Sequence, residues 1–167
     1  MESKEKSLLI VGAGSFSVEV EELARLLGYT NMAFVDDNKS NGCVGLMSDI
    51  PYLRSKFENA IVALGNNINR QKYTRILEEC FYNIPYLIHP TAYISPDAKI
   101  GKGCIVRAKA VISRFVELEA GVIINVGGLV DHHCIIGEYS HILMGAVIRN
   151  GVHVPALSWV DSNQVVQ

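Results

Sequence analysis

The sequence has little charge and no feature that directs it to a membrane or to nucleic acid. Of its 167 residues 19% are charged and 49% are hydrophobic, and the formal net charge is −2. This balance leaves no excess of basic residues for nucleic acid. The apolar runs are far shorter than the roughly 18 residues that cross a bilayer, and the charged N-terminus lacks the pattern of a signal peptide. We therefore expect a cytoplasmic globular protein without membrane insertion.

The C-terminal half carries a repeat of six residues. Every sixth position from residue 94 onward is aliphatic: Ile94, Ile100, Val106, Ile112, Leu118, Ile124, Val130, Ile136, Ile142, Ile148, Val154, Val160 and Val166. Two positions before each, the residue is mostly small, with Gln164 as the exception. This period indicates a hexapeptide β-helix, in which each hexad makes one short strand and one corner and three hexads complete a coil of eighteen residues. Ordinary hairpins would alternate with period two.

The four cysteines have no CxxC spacing that would indicate a redox or metal motif. Cys104 and Cys134 fall on the small-residue position of their hexads, so we expect them to be core residues. A metal site built from His132, His133 and His141 is disfavoured, because adjacent side chains of a strand point to opposite faces.

Residues 1–90 predict a short α/β unit that precedes the repeat. The pattern predicts strands at 7–11, 31–35, 60–64 and 84–88, helices at 18–27, 50–57 and 70–81, and a glycine-bearing loop at 38–49. Four strands make half a dinucleotide fold at most, so a mononucleotide suits the unit better than a dinucleotide.

Three polar turns follow strands of this unit, at the edge where open α/β sheets bind ligands. They contain Gly12, Gly14, Ser15 and Phe16, then Asp36 and Asp37, then Gly65 and Asn66. The glycine fingerprint is weak because Ser17 stands at its last glycine position. Phosphate can still bind to backbone N–H groups at the start of the helix; alternatively, the glycines serve only a tight turn.

These motifs together resemble one enzyme family. The glycine turn with Asp36-Asp37, the turn Gly65-Asn66-Asn67, and hexads containing Val130-Asp131-His132 and Gly137-Glu138-Tyr139-Ser140-His141 are similar to the sialic acid O-acetyltransferase and bacillosamine N-acetyltransferase family of sugar acyltransferases. The resemblance covers about residues 7–160. It implies a Rossmann-like unit at 1–90 that binds a UDP-linked sugar, followed at 91–167 by a left-handed parallel β-helix acyltransferase domain.

The resemblance also implies roles for individual residues. The protein would be a homotrimer that transfers an acetyl group from acetyl-CoA to a sugar for a surface glycan, with the coenzyme between neighbouring β-helices. The catalytic group would be His132 as general base, with Asn125 and Asp131. The acyl-CoA site would include His141, Gly145, Asn150 and Gly151. The nucleotide-sugar site would be the eight residues of the three polar turns.

The chemistry agrees with such a base, because a neutral imidazole can accept a proton from a sugar amine or hydroxyl near neutral pH. On a coil of eighteen residues, His132 lies beside Arg114 and Asn150, on an outward wall, and a backbone N–H of the Asn150-Gly151 turn is the candidate donor to the oxyanion. The carboxylate that follows the base in the family is replaced by His133, so that Asp131 is the remaining carboxylate that could orient the ring.

Several alternatives stay open at this stage. The family continues beyond the equivalent of Gln167, which favours a nucleotide-sugar-binding module with an incomplete coenzyme site as the second hypothesis. A trimerisation scaffold would not need the three polar turns. Outward apolar residues predict an oligomer: Ile105, Val111, Ile123, Leu129, Ile135 and Val147. The sequence leaves the sugar, the acylated atom and the acyl chain undetermined.

Overall fold

The computed structural model describes residues 6–38 and 42–167, and the chain forms two compact units, Met1–Pro85 and Tyr86–Gln167. Among these described residues, no helix combines the length and apolar character that a membrane span requires.

The first unit is a parallel sheet with short helices. Its elements are β1 Ser7–Val11, α1 Ser15–Leu26, β2 Asn31–Val35, β3 Cys43–Gly45, a 3₁₀ turn Met47–Asp49, α2 Ile50–Leu53, β4 Asn59–Val62 and α3 Asn67–Glu79. The strand order is β3-β2-β1-β4. Residues 8–11 of β1 are fully buried, as expected for the central strand of a parallel sheet covered on both faces.

Three elements differ from the sequence prediction. The helix predicted at 50–57 is only four residues long, Ile50–Leu53. The predicted loop at 38–49 contains β3 and the 3₁₀ turn, and its residues 39–41 lie outside the described residues. The predicted fourth strand at 84–88 is wrong. Leu87–Ile88 forms β5, which pairs with a strand of the second unit. The physical reason is the repeat itself: Ile88 lies six residues before Ile94 and already has the hexad phase.

The second unit is a parallel β-helix of two-residue strands. They are β5 Leu87–Ile88, β6 Tyr93–Ile94, β7 Lys99–Ile100, β8 Ile105–Val106, β9 Val111–Ile112, β10 Glu117–Leu118, β11 Ile123–Ile124, β12 Leu129–Val130, β13 Ile135–Ile136, β14 His141–Ile142, β15 Val147–Ile148, β16 His153–Val154, β17 Trp159–Val160 and β18 Val165–Val166. Each strand from β5 to β15 pairs with the strand three further along, and the partners are eighteen residues apart, as in Glu117 with Ile135. The coil length predicted from the sequence is confirmed.

The aliphatic series forms the core of this unit. The second residue of each strand packs into one apolar cluster, together with small residues such as Cys104, Ala110 and Cys134. Both of these cysteines are fully buried. Their predicted role as small core residues is confirmed.

The corners of the β-helix turn through residues with positive φ, and these residues stack in columns eighteen positions apart. One column contains Phe115, His133 and Gly151; a second contains Gly103, Gly121, Tyr139 and Leu157; a third contains Lys109, Gly127, Gly145 and Asn163. Each corner residue therefore lies above or below its counterpart in the neighbouring coil.

The outward apolar residues divide into two groups. Ile105 and Ile123 are fully buried within the single chain, so the expectation that they face a partner is wrong. On another face, strand pairing aligns Tyr93, Val111, Leu129, Val147 and Val165 in one row. We call these five residues the apolar row. All five are half-buried or exposed.

Candidate active site

A cleft of about 360 Å³ opens at the corner that follows β9 and β12. It is lined by Ser113, Arg114, Phe115, Asp131, His132 and His133. We call the stacked corner segments 113–115, 131–133 and 149–151 the open corner.

Backbone hydrogen bonds hold the open corner in the register predicted from the repeat. The N–H of His133 donates to the carbonyl of Arg114 at 3.0 Å, and the N–H of Gly151 donates to the carbonyl of His132 at 3.0 Å. The Gly151 N–H is therefore used within the fold. In the turn of Asn150 and Gly151, the N–H of Asn150 therefore remains the candidate donor to the oxyanion.

His132 is exposed at the cleft. Its backbone N–H donates to Oδ1 of Asp131 at 2.7 Å. Its ring contacts a different residue, because Nδ1 of His132 lies 2.9 Å from Nδ1 of His133. Asp131 thus braces the backbone of His132, while the neighbouring imidazole meets its ring.

The argument from strand alternation does not apply to this histidine pair. His132 and His133 lie in a turn, not in a strand, and His133 has a φ of 61°. The two rings consequently meet edge to face, with centroids 5.1 Å apart. Among residues 6–38 and 42–167, no group of three or more His, Cys, Asp or Glu side chains is arranged to hold a metal ion.

A chain of side-chain contacts supports the ring of His133 from the preceding coil. The ring lies 4.9 Å from that of Phe115, measured between centroids. The guanidinium of Arg114 lies 5.0 Å from the centroid of Phe115, and its Nε donates to Oδ2 of Asp97 at 2.8 Å. An exposed aromatic and a cation thus fix the outer side of the cleft.

Beneath this corner lies a buried thiol. Cys134 donates from Sγ to the carbonyl of Arg149 at 3.0 Å, and burial raises the pKa of its thiol. Since the thiolate is the nucleophilic form, both the burial and the raised pKa of this thiol disfavour reaction at its sulfur.

The glycine turn of the first unit is sterically required. Gly12 has a φ of +109°, and a Cβ there would meet the side chain of Leu64 at 2.8 Å and the carbonyl of Ala63 at 3.0 Å. Ser17, fully buried, donates from its hydroxyl to the same carbonyl at 3.2 Å. The serine at the third fingerprint position therefore ties α1 to the segment after β4.

The acids that follow β2 close neighbouring loops. Asp36 accepts the N–H of Ala13 through Oδ2 and the N–H of Asn38 through Oδ1, both at 2.8 Å. Asp37 accepts the N–H of Met47 at 3.1 Å. Asp36 therefore braces the turn before α1, where Gly14 and Ser15 are exposed, whereas Asp37 ties the end of β2 to the 3₁₀ turn.

A buried arginine holds the third polar turn, and sequence reasoning missed it. Arg70 is 1% exposed. It donates to the carbonyls of Leu64 and Gly65 at 2.9 and 3.1 Å and to Oδ1 of Asn67 at 2.9 Å. Asn66 caps α3 by accepting the N–H of Asn69 at 2.9 Å. The sequence contained a signal for this burial, because Arg70 has helical spacing with Thr74 and Leu77 and so lies on the buried face of the same helix.

Comparisons with known proteins agree with this architecture. Residues 7–77 match the family model of the PglD N-terminal domain. The acetyltransferase domain of PglB from Neisseria gonorrhoeae FA1090 is 30% identical over 97% of this chain and 91% of that one, with a TM-score of 0.83. The chain belongs to this family of sugar acyltransferases. Its α/β unit and left-handed parallel β-helix confirm the fold class predicted from the sequence.

Two further relatives of the sugar acyltransferase are informative. PerB from Caulobacter crescentus, solved with CoA and GDP-perosamine, is 29% identical over 96% of this chain and 88% of that one, with a TM-score of 0.86. An acyl-(acyl-carrier-protein)–UDP-N-acetylglucosamine O-acyltransferase from Chlamydia caviae is 40% identical over 63 residues, which are 38% of this chain and 23% of that protein. The match thus spans less than a quarter of that relative's length.

The structure of this acyltransferase brings together only part of the predicted residues. Asp131, His132, Asn150 and Gly151 share the open corner. Asn125 lies at another corner, after β11, where its Oδ1 accepts the N–H of Val126 at 2.8 Å. Within one chain Asn125 is therefore outside the cleft.

The remaining predicted coenzyme residues lie in other columns. His141 is 5% exposed, and its ring contacts that of Trp159 with centroids 4.8 Å apart. Gly145 has a φ of +67°, and a Cβ there would meet Oδ1 of Asn163 at 2.5 Å. By contrast, Asn150 and Gly151 are both exposed. Their coenzyme role stays a prediction.

Proposed function

We propose that this protein transfers an acetyl group from acetyl-CoA to the amino group of a nucleotide-linked sugar, with His132 as general base. The observation that carries the proposal is the exposed imidazole at a cleft, with its Nδ1 held by a neighbouring side chain. Two relatives support the substrates. The PglB domain has been solved with acetyl coenzyme A, and PerB with CoA and GDP-perosamine.

The reaction uses the open corner as follows. The sugar nitrogen attacks the thioester carbonyl carbon while Nε2 of His132 takes a proton from that nitrogen. The C–S bond then breaks, and the leaving thiolate receives the proton. The Asn150 N–H is the proposed donor to the oxyanion, since the Gly151 N–H is bonded to His132. Asp131 holds the backbone of the base.

For the nucleotide, we propose that the diphosphate binds at the start of α1. Gly14 and Ser15 are exposed there, and the first turn of this helix, described in full, carries no acidic residue. A helix N-terminus of this kind attracts phosphate. Asp36, Asp37 and the turn at Gly65 and Asn66 shape the surrounding loops. We expect UDP to be the nucleotide.

We further propose a homotrimer with the coenzyme between neighbouring copies. The apolar row presents partly exposed side chains along one face of the β-helix, and a face of this kind indicates an interface. A second copy would also supply Asn125 to the cleft. Replacing Leu129 by Asp, at the centre of the row, should yield monomers in sedimentation velocity runs. A monomeric native chain would contradict the trimer.

The first test is turnover with a matched pair of histidine variants. Thiol release from acetyl-CoA is followed with a panel of UDP- and GDP-linked amino sugars, for native protein, His132→Gln and His153→Gln. His153 is exposed and lies in β16, outside the open corner. We expect kcat to fall by about 10²- to 10⁴-fold in His132→Gln alone.

Calorimetric titration with acetyl-CoA and with UDP separates the alternatives. Binding of both ligands by native protein and by His132→Gln supports the enzyme. UDP binding without acetyl-CoA binding or turnover would instead support the nucleotide-sugar-binding module.

A further inference from the structure

The side chain that contacts the ring of the proposed general base differs from the one that the family pattern predicts. In the family a carboxylate follows the base, and here that position is His133. The ring of His133 contacts that of the base, with its Nδ1 at 2.9 Å from Nδ1 of His132. The neighbouring Asp131 contacts the backbone of the base and not its ring, because its Oδ1 accepts the N–H of His132.

Both the backbone and the ring of His133 contact the preceding coil. The backbone N–H is bonded to Arg114, and the ring packs against Phe115. Phe115 has a φ of 59°, close to the 61° of His133, so the two residues are stacked equivalents of one turn. A side chain fixed in this way can present Nδ1 to the base in a constant direction.

Two Nδ1 atoms at this separation must share one proton. If Nδ1 of His132 carries it, Nε2 of His132 is unprotonated and can act as the base. If Nδ1 of His133 carries it, Nε2 of His132 is protonated and the base is lost. The tautomer of the pair therefore decides whether the proposed mechanism can operate.

We propose that His133 is a positioning residue, which accepts the Nδ1 proton of His132 and thereby keeps Nε2 of the base free. This inference rests on the proposed function. When Nε2 of His132 takes the proton of the amine, the Nδ1 proton can move to Nδ1 of His133, so that the positive charge is spread over two rings. As the Nε2 proton is transferred to the thiolate, the Nδ1 proton moves back from His133 to His132, which returns the pair to its starting state.

The test compares His133→Phe with His133→Glu. Phenylalanine keeps a ring against Phe115 and is tolerated at this φ, as Phe115 itself demonstrates, but it has no acceptor for the proton. We expect kcat to fall by about 10- to 100-fold, as for other partners that orient a functional histidine, with each KM within about 3-fold. Glutamate restores an acceptor and should recover kcat to within about 5-fold of native.

A spectroscopic measurement tests the tautomer without turnover. In a sample with ¹⁵N-labelled imidazoles, assigned with single His→Gln variants, long-range ¹H–¹⁵N correlation should place the proton of neutral His132 on Nδ1. In His133→Phe the signal should move toward the Nε2–H form. An unchanged His132 tautomer in His133→Phe, or equal kcat values for His133→Phe and His133→Glu, would overturn the inference. Absent turnover with an Nδ1–H tautomer would count against the proposed function alone.

Discussion

Two corners of the β-helix share a backbone and differ in what they expose. At the open corner, His133 is exposed above Phe115. At the corner built from segments 119–121, 137–139 and 155–157, which we call the closed corner, Tyr139 has nearly the same φ of 57° and is only 4% exposed. The residue one coil earlier explains the difference. Gly121 lets the ring of Tyr139 fold over it, whereas Phe115 supports the ring of His133 from the outside.

The largest predicted effect is a loss of folding stability when the space under Tyr139 is filled. Gly121 has a φ of +67°, and an added Cβ would overlap the tyrosine ring, whereas at Gly151, with a φ of +73°, no described atom lies within 4 Å of such a Cβ. Gly121→Ala combines left-handed strain with overpacking and should destabilise the fold by about 3 kcal/mol. Gly151→Ala should cost about 1 kcal/mol, from the strain alone. Urea unfolding of the two variants measures the contrast, and equal losses would contradict it.

The next effect is slow alkylation of Cys134, the buried thiol beneath the open corner. Although the surface there is accessible, Cys134 is fully buried, and burial raises the pKa of its thiol. Iodoacetamide at pH 8 should modify it at least about ten-fold more slowly in the native protein than in urea. Cys80, which is half-buried, is the internal control. Peptide mapping that shows rapid native labelling of Cys134 would mean that the corner opens to its core.

The sequence predicted the β-helix well because one physical rule, an inward aliphatic residue in each hexad, acts at every coil. It predicted the neighbours of His132 for the same reason, because residues eighteen positions apart lie side by side in adjacent coils. For His132 these residues are Arg114 and Asn150. The orientation of side chains within a turn was beyond it. Strand alternation predicted opposite faces for His132 and His133, but the left-handed backbone at His133 brings the rings together. Arg70 was missed because charged residues are seldom buried.

Replacing Phe115 of the open corner by glycine, as at Gly121 of the closed corner, should have an intermediate effect, this time on kcat. In Phe115→Gly, position 115 matches Gly121, so the ring of His133 can fold inward as Tyr139 does. His132 then keeps its contact at Nδ1 for only part of the time, and we expect kcat to fall by about 5- to 10-fold, less than in His133→Phe. Stability should change by less than about 1 kcal/mol, because glycine accepts the positive φ without strain.

Phe115→Tyr is the matched control for this variant, since it keeps the ring. Enzyme assays, with thermal unfolding as a check on folding, distinguish the two. A native kcat for Phe115→Gly would show that the aromatic support is not needed to hold the histidine pair.

The smallest effect on stability should come from removing the outermost contact of the open corner, the ion pair between Arg114 and Asp97. The side chain of Arg114 is 67% exposed and that of Asp97 is 40% exposed, so solvent screens their attraction and a pair of this kind contributes about 0.5 kcal/mol or less. Asp97→Asn should therefore change stability hardly more than Lys99→Gln, which removes the 3.7 Å pair with Glu117 on the neighbouring face. Urea unfolding at low and high salt measures both. A loss above about 1.5 kcal/mol for Asp97→Asn alone would mean that the cation on Phe115 helps to hold the corner, and the support of His133 would then extend from the aromatic ring to the carboxylate beyond it.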